Sequence, residues 1–439
     1  MSHQTELLVA DQSLLHPLHH PAEHADPLVF VEAHGVYLRD AAGRDYLDAF
    51  AGLWNVLVGY GRDELADAAA AQLRRLPYAS AYAGYTNEPA ALLAQKLAGF
   101  AYPELNTTFF TSGGAEANES AFKTARAVWK LRGKPGKFKI LSRWHAYHGV
   151  TLAAMSATGM ANYWKVFEPR VPGFLQAPAP YPYRFDDVRE GETVGTAAAR
   201  AVEEAILVEG ADTVAAIIAE PVQGAGGVIV PPDDYFPTLR AICDRHEVLL
   251  IADEVITGFG RTGRWFGLQH WGVSPDIMSF AKGITSGYLP LGGMQISDAI
   301  RDALLSAAPE NRWMHAYTYS GHPTCCALAL KNLDILEREG LVAQARERGA
   351  YLRRGLDTLL DLEAVGEVRG LGLMAAVELV ADRATKAPAG LGDAVRRRCQ
   401  QQGVLLRVRG DVVMVAPPLT ISEAEIDRIV ETVRRAIQG

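Results

Sequence analysis

The residues best suited by type and spacing to do chemistry are Lys282, Asp253 and the segment Thr111-Ser-Gly-Gly-Ala-Glu-Ala-Asn118. Asp253 closes the apolar run VLLIADEV and Lys282 closes DIMSFAKG, so each stands where a buried strand should end in a loop. A lysine in a water-poor pocket loses its proton more readily and can form a Schiff base. A buried carboxylate can keep a pyridinium nitrogen protonated, which makes such a ring an electron sink. The third piece joins the run NTTFFTSGG to a helical stretch whose apolar face is Ala121, Phe122, Ala125, Val128 and Trp129. Gly113 and Gly114 let the backbone approach closely, and the free N–H groups of Gly114 and Ala115, with the helix dipole, suit an anion. Taken singly, Ser-Gly-Gly before a helix is most often an ordinary N-cap, and a strand-end acid or lysine a structural ion pair. On one sheet together, a phosphate cradle, an amine nucleophile and a pyridinium partner describe a site for pyridoxal phosphate.

Two other patterns invite a different chemistry. Gly258-Phe-Gly260-Arg-Thr-Gly263 satisfies G-x-G-x-x-G after a strand. A dinucleotide site needs a helix to open there, and RWFGLQHWGVSPD has no helical period, so the glycines read as a tight loop. His16, His19, His20 and His24 crowd the N-terminal arm, and His145 and His148 stand three apart. Only Glu23 accompanies the arm histidines at ligand spacing, so no metal is expected.

The elements that must position these groups alternate along the chain. From about residue 60 to 325, short apolar runs (NTTFFTSGG, FKILSRWH, VAAIIAEPVQG, VLLIADEV, DIMSFAKG) are separated by helical stretches such as AEANESAFKTARAVWKLRG and YFPTLRAICDRHE. That is the pattern of an α/β protein with a mostly parallel sheet covered by helices. Ligands on such sheets gather at the carboxyl ends of the strands, where Ser112, His148, Glu220, Asp253 and Lys282 fall. Before this region, residues 1–35 read as an irregular arm and GVYLRDAAGRDYLDAF as a hairpin about a Gly-bearing turn. After residue 326 one long helix, ALALKNLDILEREGLVAQARERGAYLRRGLDTLL, leads into a smaller α/β lobe, in which DRATKAPAGL reads as an exposed loop.

Composition sets the bounds. A chain of 439 residues, 49% hydrophobic, can bury a sizeable core and suggests two or three domains. With 43 basic and 51 acidic residues the net charge is −8, which argues against general nucleic-acid binding but not against a small anion held locally. Four cysteines, none in a CxxC pair, point to a reducing compartment. The start MSHQTELLVADQ lacks signal-peptide character, and no run reaches the roughly 18–20 apolar residues of a spanning helix, so a cytoplasmic location away from membranes is expected.

Beyond these readings, the sequence resembles the class III pyridoxal-phosphate aminotransferases of fold type I, especially the omega-amino acid:pyruvate branch. The resemblance covers about residues 14–430 and rests on AGLWNVLVGYG, TSGGAEANE, HAYHG, AEPVQGAGG, IADEVITGFGRTG, FAKGITSGYLPLGG, YTYSGHP and APPL, all in family order. It implies Lys282 as the Schiff-base lysine and proton shuttle, Asp253 against the pyridine nitrogen, and Tyr147 and Val255 on the two ring faces. Gly113, Gly114 and Ala115 would hold the phosphate, Ala115 standing where the family often has Ser. Thr318 would reach that phosphate from a neighbouring subunit, which makes a homodimer, or a dimer of dimers, part of the site. Glu220 is placed near the cofactor, with a structural role equally open.

Departures from the pattern choose the branch. Relatives that use 2-oxoglutarate carry Gln where this chain has Ile256, and an Arg before the APP stretch where it has Met414. Arg407-Val-Arg-Gly-Asp411 fits the R-x-x-G-D context of the pyruvate branch, so Arg407 would meet a substrate carboxylate, with Arg409 as a possible substitute. Trp54, Leu18, Tyr82, Tyr147, Tyr317 and Ala225 would edge the substrate pocket. The implied activity is ping-pong transfer of an amino group from an omega-amino acid or primary amine to pyruvate. A mutase or decarboxylase on the same fold, a 2-oxoglutarate-using aminotransferase and a non-catalytic binding protein are the rivals. The implied layout is an N-terminal arm and part of a small domain (1–59), a large cofactor-binding domain (60–325) and a C-terminal small domain (326–439).

Overall fold

The computed structural model describes residues 3–18, 20 and 27–439. Its first strands follow from one turn. Asp40 accepts the N–H groups of Ala42 and Arg44 at 3.0 and 2.9 Å, and Gly43 takes a left-handed φ of +83°. Strand β1 (Phe30–His34) pairs antiparallel with β2 (Tyr37–Asp40), and the turn returns β2 onto β3 (Asp45–Asp48), the expected hairpin. The stretch 1–35 is not wholly irregular: it holds a helix at His3–Asp11 as well as β1, which forms because the outer edge of β2 is free to pair. His19, Glu23 and His24 lie outside the described residues.

The main sheet contains β4 (Thr107–Thr111), β5 (Lys139–Arg143), β6 (Phe174–Ala177), β7 (Val214–Ala219), β8 (Leu249–Asp253), β9 (Ile277–Phe280) and β10 (Gly292–Ile296), in the order β4-β10-β9-β8-β7-β5-β6. β10 runs antiparallel to both neighbours and the other pairings are parallel. β7, β8 and β9 are buried along their whole length, which is why they read as unbroken apolar runs instead of alternating ones. The helix Gly114–Leu131 turns Ala121, Phe122, Ala125, Val128 and Trp129 onto this sheet, where they pack with Ile140, Ile218 and Ile251. Phe122 and Val128 each contribute roughly 1.5–3 kcal/mol of burial.

Beyond residue 322 the expected single long helix is two, Pro323–Arg338 and Leu341–Asp357. Gly340 breaks it with a left-handed φ of +62°. One residue of reversal leaves the apolar period nearly in phase, so the break is hard to see in sequence. The strands that follow are β11 (Val365–Gly370), β12 (Ala375–Asp382), β13 (Ala387–Pro388), β14 (Val404–Leu405), β15 (Arg407–Arg409) and β16 (Val412–Val415). β11, β12, β16 and β15 form an antiparallel sheet in that order, and β13 pairs on β12, so DRATKAPAGL is not simply a loop: Ala387–Pro388 extends the sheet. β14 pairs parallel with β3, which brings the two ends of the chain into one sheet. No helix among the described residues is long and apolar enough to cross a membrane.

Candidate active site

Parallel pairing sets Asp253, the last residue of β8, opposite Ser279 of β9, and Lys282 follows three residues later. Both reach the carboxyl edge of the sheet, where the helix Gly114–Leu131 also begins. Gly114, Ala115, Tyr147, Glu220, Asp253, Val255 and Lys282, all expected from sequence, line one cavity of about 190 Å³. Asn118, His148 and Ile256 line it with them.

Asp253 is 3% exposed and is held by three donors. Its Oδ2 accepts from Asn118 Nδ2 and His148 Nδ1, each at 2.8 Å, and Oδ1 accepts the Val255 N–H at 3.1 Å. Asn118 Nδ2 also donates to His148 O at 2.8 Å, so acid, amide and imidazole form one buried unit. His148 is among the polar residues expected at the strand ends, whereas Asn118 does not stand out as a site residue in the sequence. The signal available was spacing: Asn118 is one helical turn beyond Gly114, and His148 directly follows Tyr147 in HAYHG.

Lys282 lies at the base of the cavity in a short turn, Lys282–Thr285, with a left-handed φ of +49°. Asn332 supports that turn by donating to Gly283 O and Ile284 O, both at 2.9 Å. Burial pushes the Lys282 amine down to about 8, against the upward pull of Asp253 and Glu220 and with help from Arg407. Glu220 is buried at the end of β7; its Oε1 accepts the Tyr147 N–H and its Oε2 the Gly224 N–H, each at 2.9 Å. Burial raises its carboxyl pKa.

The anion end is built by the backbone. Gly113 caps the 18-residue helix without a side-chain bond, while Glu116 takes the Ser112 N–H at 2.8 Å. A Cβ on Gly114 would meet both Val255 methyls at 2.9 Å. Ala115 packs just as tightly on Gly149, whose own Cβ would lie 2.6 Å from the Ala115 methyl. These residues fit pyridoxal phosphate: half-buried Lys282 and buried Asp253 share one cavity, and a helix N-terminus with a glycine that admits no Cβ opens on it.

Other expected residues fall outside that lining. Trp54 is 1% exposed and packs at 4.5 Å on the Phe50 ring, in a cluster with Ile256 and Met414, and Leu53 takes the place on the cavity wall. Tyr317 lies against Phe109 and His315 and donates to Glu116 O at 3.4 Å. Thr318 O accepts from Tyr78 at 2.9 Å. Tyr82 and Leu18 are exposed, and Ala225 is half-buried in the Gly224–Gly227 loop. Arg407 carries no acid partner among the described residues; its guanidinium sits 5.9 Å from the Phe50 ring, and its charge opposes the rise that burial gives the Tyr147 pKa and adds to the lowering that burial gives Lys282. Arg409 is engaged, donating to Gly226 O at 2.8 Å. The Gly258–Gly263 segment is the tight loop expected, with no helix at its third glycine.

Fold and site together define an enzyme that works through a phosphate-bearing ring cofactor seated on a parallel sheet. Residues 19–437 match the family model of class III aminotransferases, and the chain belongs to that family. It is 41% identical over 413 residues to the putrescine–pyruvate aminotransferase of Pseudomonas aeruginosa, covering 93% of this chain and 90% of that one. It superposes with a TM-score of 0.95 on an (S)-enantioselective omega-transaminase from Thermomicrobium roseum, at 49% identity over 99% of this chain and 98% of the other. An amine transaminase from an uncultivated Pseudomonas species, in its PLP-bound form, matches at TM-score 0.94 and 42% identity, over 97% and 98%. The protein is thus a fold type I aminotransferase whose cofactor is pyridoxal 5′-phosphate.

Proposed function

We propose that the protein moves an amino group from a primary amine or omega-amino acid donor to pyruvate, in two half-reactions at one site. The observation that carries the choice of acceptor is Arg407, a guanidinium without an acid partner among the described residues whose charge reaches Lys282, while Met414, opposite it in register, and Ile256 are apolar. Arg407 pairs the carboxylate of pyruvate or alanine and swings away when the donor has none. The similarity to a putrescine–pyruvate aminotransferase supports the same acceptor.

When bound, pyridoxal phosphate supplies the electron sink that makes the donor's Cα proton acidic. In this reading Asp253, fixed by His148 and Asn118, holds a proton on the pyridine nitrogen. Lys282, with its lowered pKa, would be the base that takes the donor's Cα proton and the acid that returns it. Tyr147 and Val255, both in the cavity lining, would flank the ring and exclude water. Gly113, Gly114 and Ala115 bind the phosphate, and Thr318 of a second copy completes it in a homodimer. Trp54, Tyr82, Tyr317, Ala225 and Leu18 belong to the substrate pocket of that assembly. The division into a large domain at 60–325 and a small one from 1–59 and 326–439 follows the same reading, as does a cytoplasmic location.

A donor screen with pyruvate and 2-oxoglutarate as competing acceptors tests it. Amination of pyruvate is expected. Activity confined to 2-oxoglutarate would refute the use made of Arg407, Ile256 and Met414, and release of carbon dioxide would favour a decarboxylase.

A further inference from the structure

The glycine loop after β7 is gripped from both sides. From the main sheet, Glu220 holds the Gly224 N–H at 2.9 Å. From the small lobe, Arg409 Nη1 donates to Gly226 O at 2.8 Å and Arg369 Nε to Gly227 O at 2.9 Å. The loop passes too close to its neighbours to admit side chains: a Cβ on Gly226 would lie 2.3 Å from His145 O, and one on Gly227 3.2 Å from Arg369 Nη2. Arg369 is anchored in turn by Glu378 at 2.7 Å. Arg409 has no ion-pair partner among the described residues, so its guanidinium is committed to the loop carbonyl.

Arg407 and Arg409 are alternate residues of the three-residue strand β15, so their side chains leave the sheet on the same face. Both stand in regular register on β16, Arg407 opposite Met414 and Arg409 opposite Val412. Arg409 is tied down and Arg407 carries no acid partner among the described residues, and the tie lies two residues from Arg407.

We propose that Arg409 is a positioning residue for substrate carboxylates: by clasping Gly226 O it fixes β15 on the main sheet so that Arg407 can reach the cavity, and it touches no substrate itself. The proposal rests on the reading of Arg407 as carboxylate ligand. It places the control of carboxylate preference partly in a residue that contacts neither substrate.

Half-reactions of the holoenzyme, followed by the cofactor's absorbance, test it in R407M, R409M, R409K and R407M/R409M. Losing one charge-assisted hydrogen bond at the clasp should raise the pyruvate KM about 5- to 20-fold in R409M. The half-reaction with a carboxylate-free arylalkylamine should stay within about twofold, since that donor does not use Arg407. R409K still donates to Gly226 O and should restore most of the loss. R407M should be at least as impaired as R409M, and the double variant no worse than R407M, because Arg409 acts through Arg407. A double variant impaired by the product of the two single effects would make Arg409 a second substrate ligand and overturn the proposal. Equal losses in both half-reactions, with a lowered Tm, would reduce the clasp to general stability and also overturn it. A normal pyruvate KM in R409M beside a raised one in R407M sinks the clasp alone. A normal value in R407M sinks the role of Arg407 and the clasp with it.

Discussion

His148 Nδ1 donates to Asp253 Oδ2 at 2.8 Å, with both side chains closed off from solvent. The bond puts an imidazole proton on Nδ1, and Nε2 is buried with no partner among the described residues. An acid held this way cannot turn away from the cavity, and Asn118 on the same oxygen restrains it further. The unit orients Asp253 in the cavity, where a carboxylate can stabilise a cationic ring nitrogen.

Removing the imidazole should therefore cost activity more than stability. H148A leaves Asp253 with two of its three donors. Loss of one charge-assisted bond of about 1.5–3 kcal/mol predicts a 10- to 100-fold fall in kcat. D253A should fall further and retain cofactor poorly. Steady-state rates and cofactor absorbance after dialysis check both, and an H148A enzyme with wild-type kcat would remove His148 from the machinery.

The two glycines before the helix should respond differently to the same change. Gly113 has nothing within 4 Å of an added Cβ and an extended φ of −172°, so G113A should keep most of its cofactor affinity. Gly114 faces Val255 at 2.9 Å, so G114A must displace a residue expected on the ring face. Overpacking of this kind costs typically 1–3 kcal/mol, which predicts roughly 5- to 100-fold weaker cofactor binding. Titration of the cofactor-free variants with pyridoxal phosphate distinguishes them, and equal affinities would show that the Gly114 contact is slack.

How much of this was legible in the sequence depended on whether the signal was local. The fully buried strands β7, β8 and β9 carry their own apolar signature, and with it the strand-end positions of Glu220, Asp253 and Lys282. β6 and β10 went unread because FLQA is only four residues long and GGMQI opens on two glycines. The break at Gly340 was hidden by a period that continues across it. The partners of Asp253 come from residues 135 and 105 positions away, and no spacing rule joins them. Arg409 looked interchangeable with Arg407 because both are arginines on one strand. Only the bond to Gly226, 183 residues distant, separates their roles.

The amine of Lys282 sets a pH dependence of known sign. Its pKa is lowered to about 8 by burial, so the amine carries its proton at pH 7 at a cost to the fold, and sheds it well below the ordinary value of 10.5. The unfolded chain binds the proton more tightly, and stability contributed by this group therefore rises with pH between about 8 and 10.5. Capture of pyridoxal phosphate by the cofactor-free enzyme should quicken with a midpoint near 8. K282M, which has no charge to bury, should show a higher Tm than cofactor-free wild type at pH 7, with the difference shrinking as pH rises above about 8 and gone above 10.5. A capture midpoint near that of a free lysine, or a K282M advantage that persists unchanged at high pH, would contradict the buried-amine account.

Glu254, the residue after Asp253, should matter for stability alone. It points away from the cavity into a buried nest: Oε1 accepts from Tyr102 at 2.5 Å and from the Leu268 N–H at 3.0 Å, and Oε2 from the Gly267 N–H at 2.7 Å and from Thr257. Every contact is a donor, so the site is written for a carboxylate. In E254Q the amide nitrogen must face one oxygen's partners. A hydroxyl can rotate to accept from it, but the Leu268 or Gly267 N–H cannot, and either orientation leaves one buried backbone donor unmet. The expected loss is about 1–3 kcal/mol, read as a lower urea midpoint at unchanged m-value. KM for both substrates should stay at wild-type values in the folded fraction, because the cavity lining does not include Glu254. A variant as stable as wild type would mean that water or a shifted loop satisfies the orphaned donor.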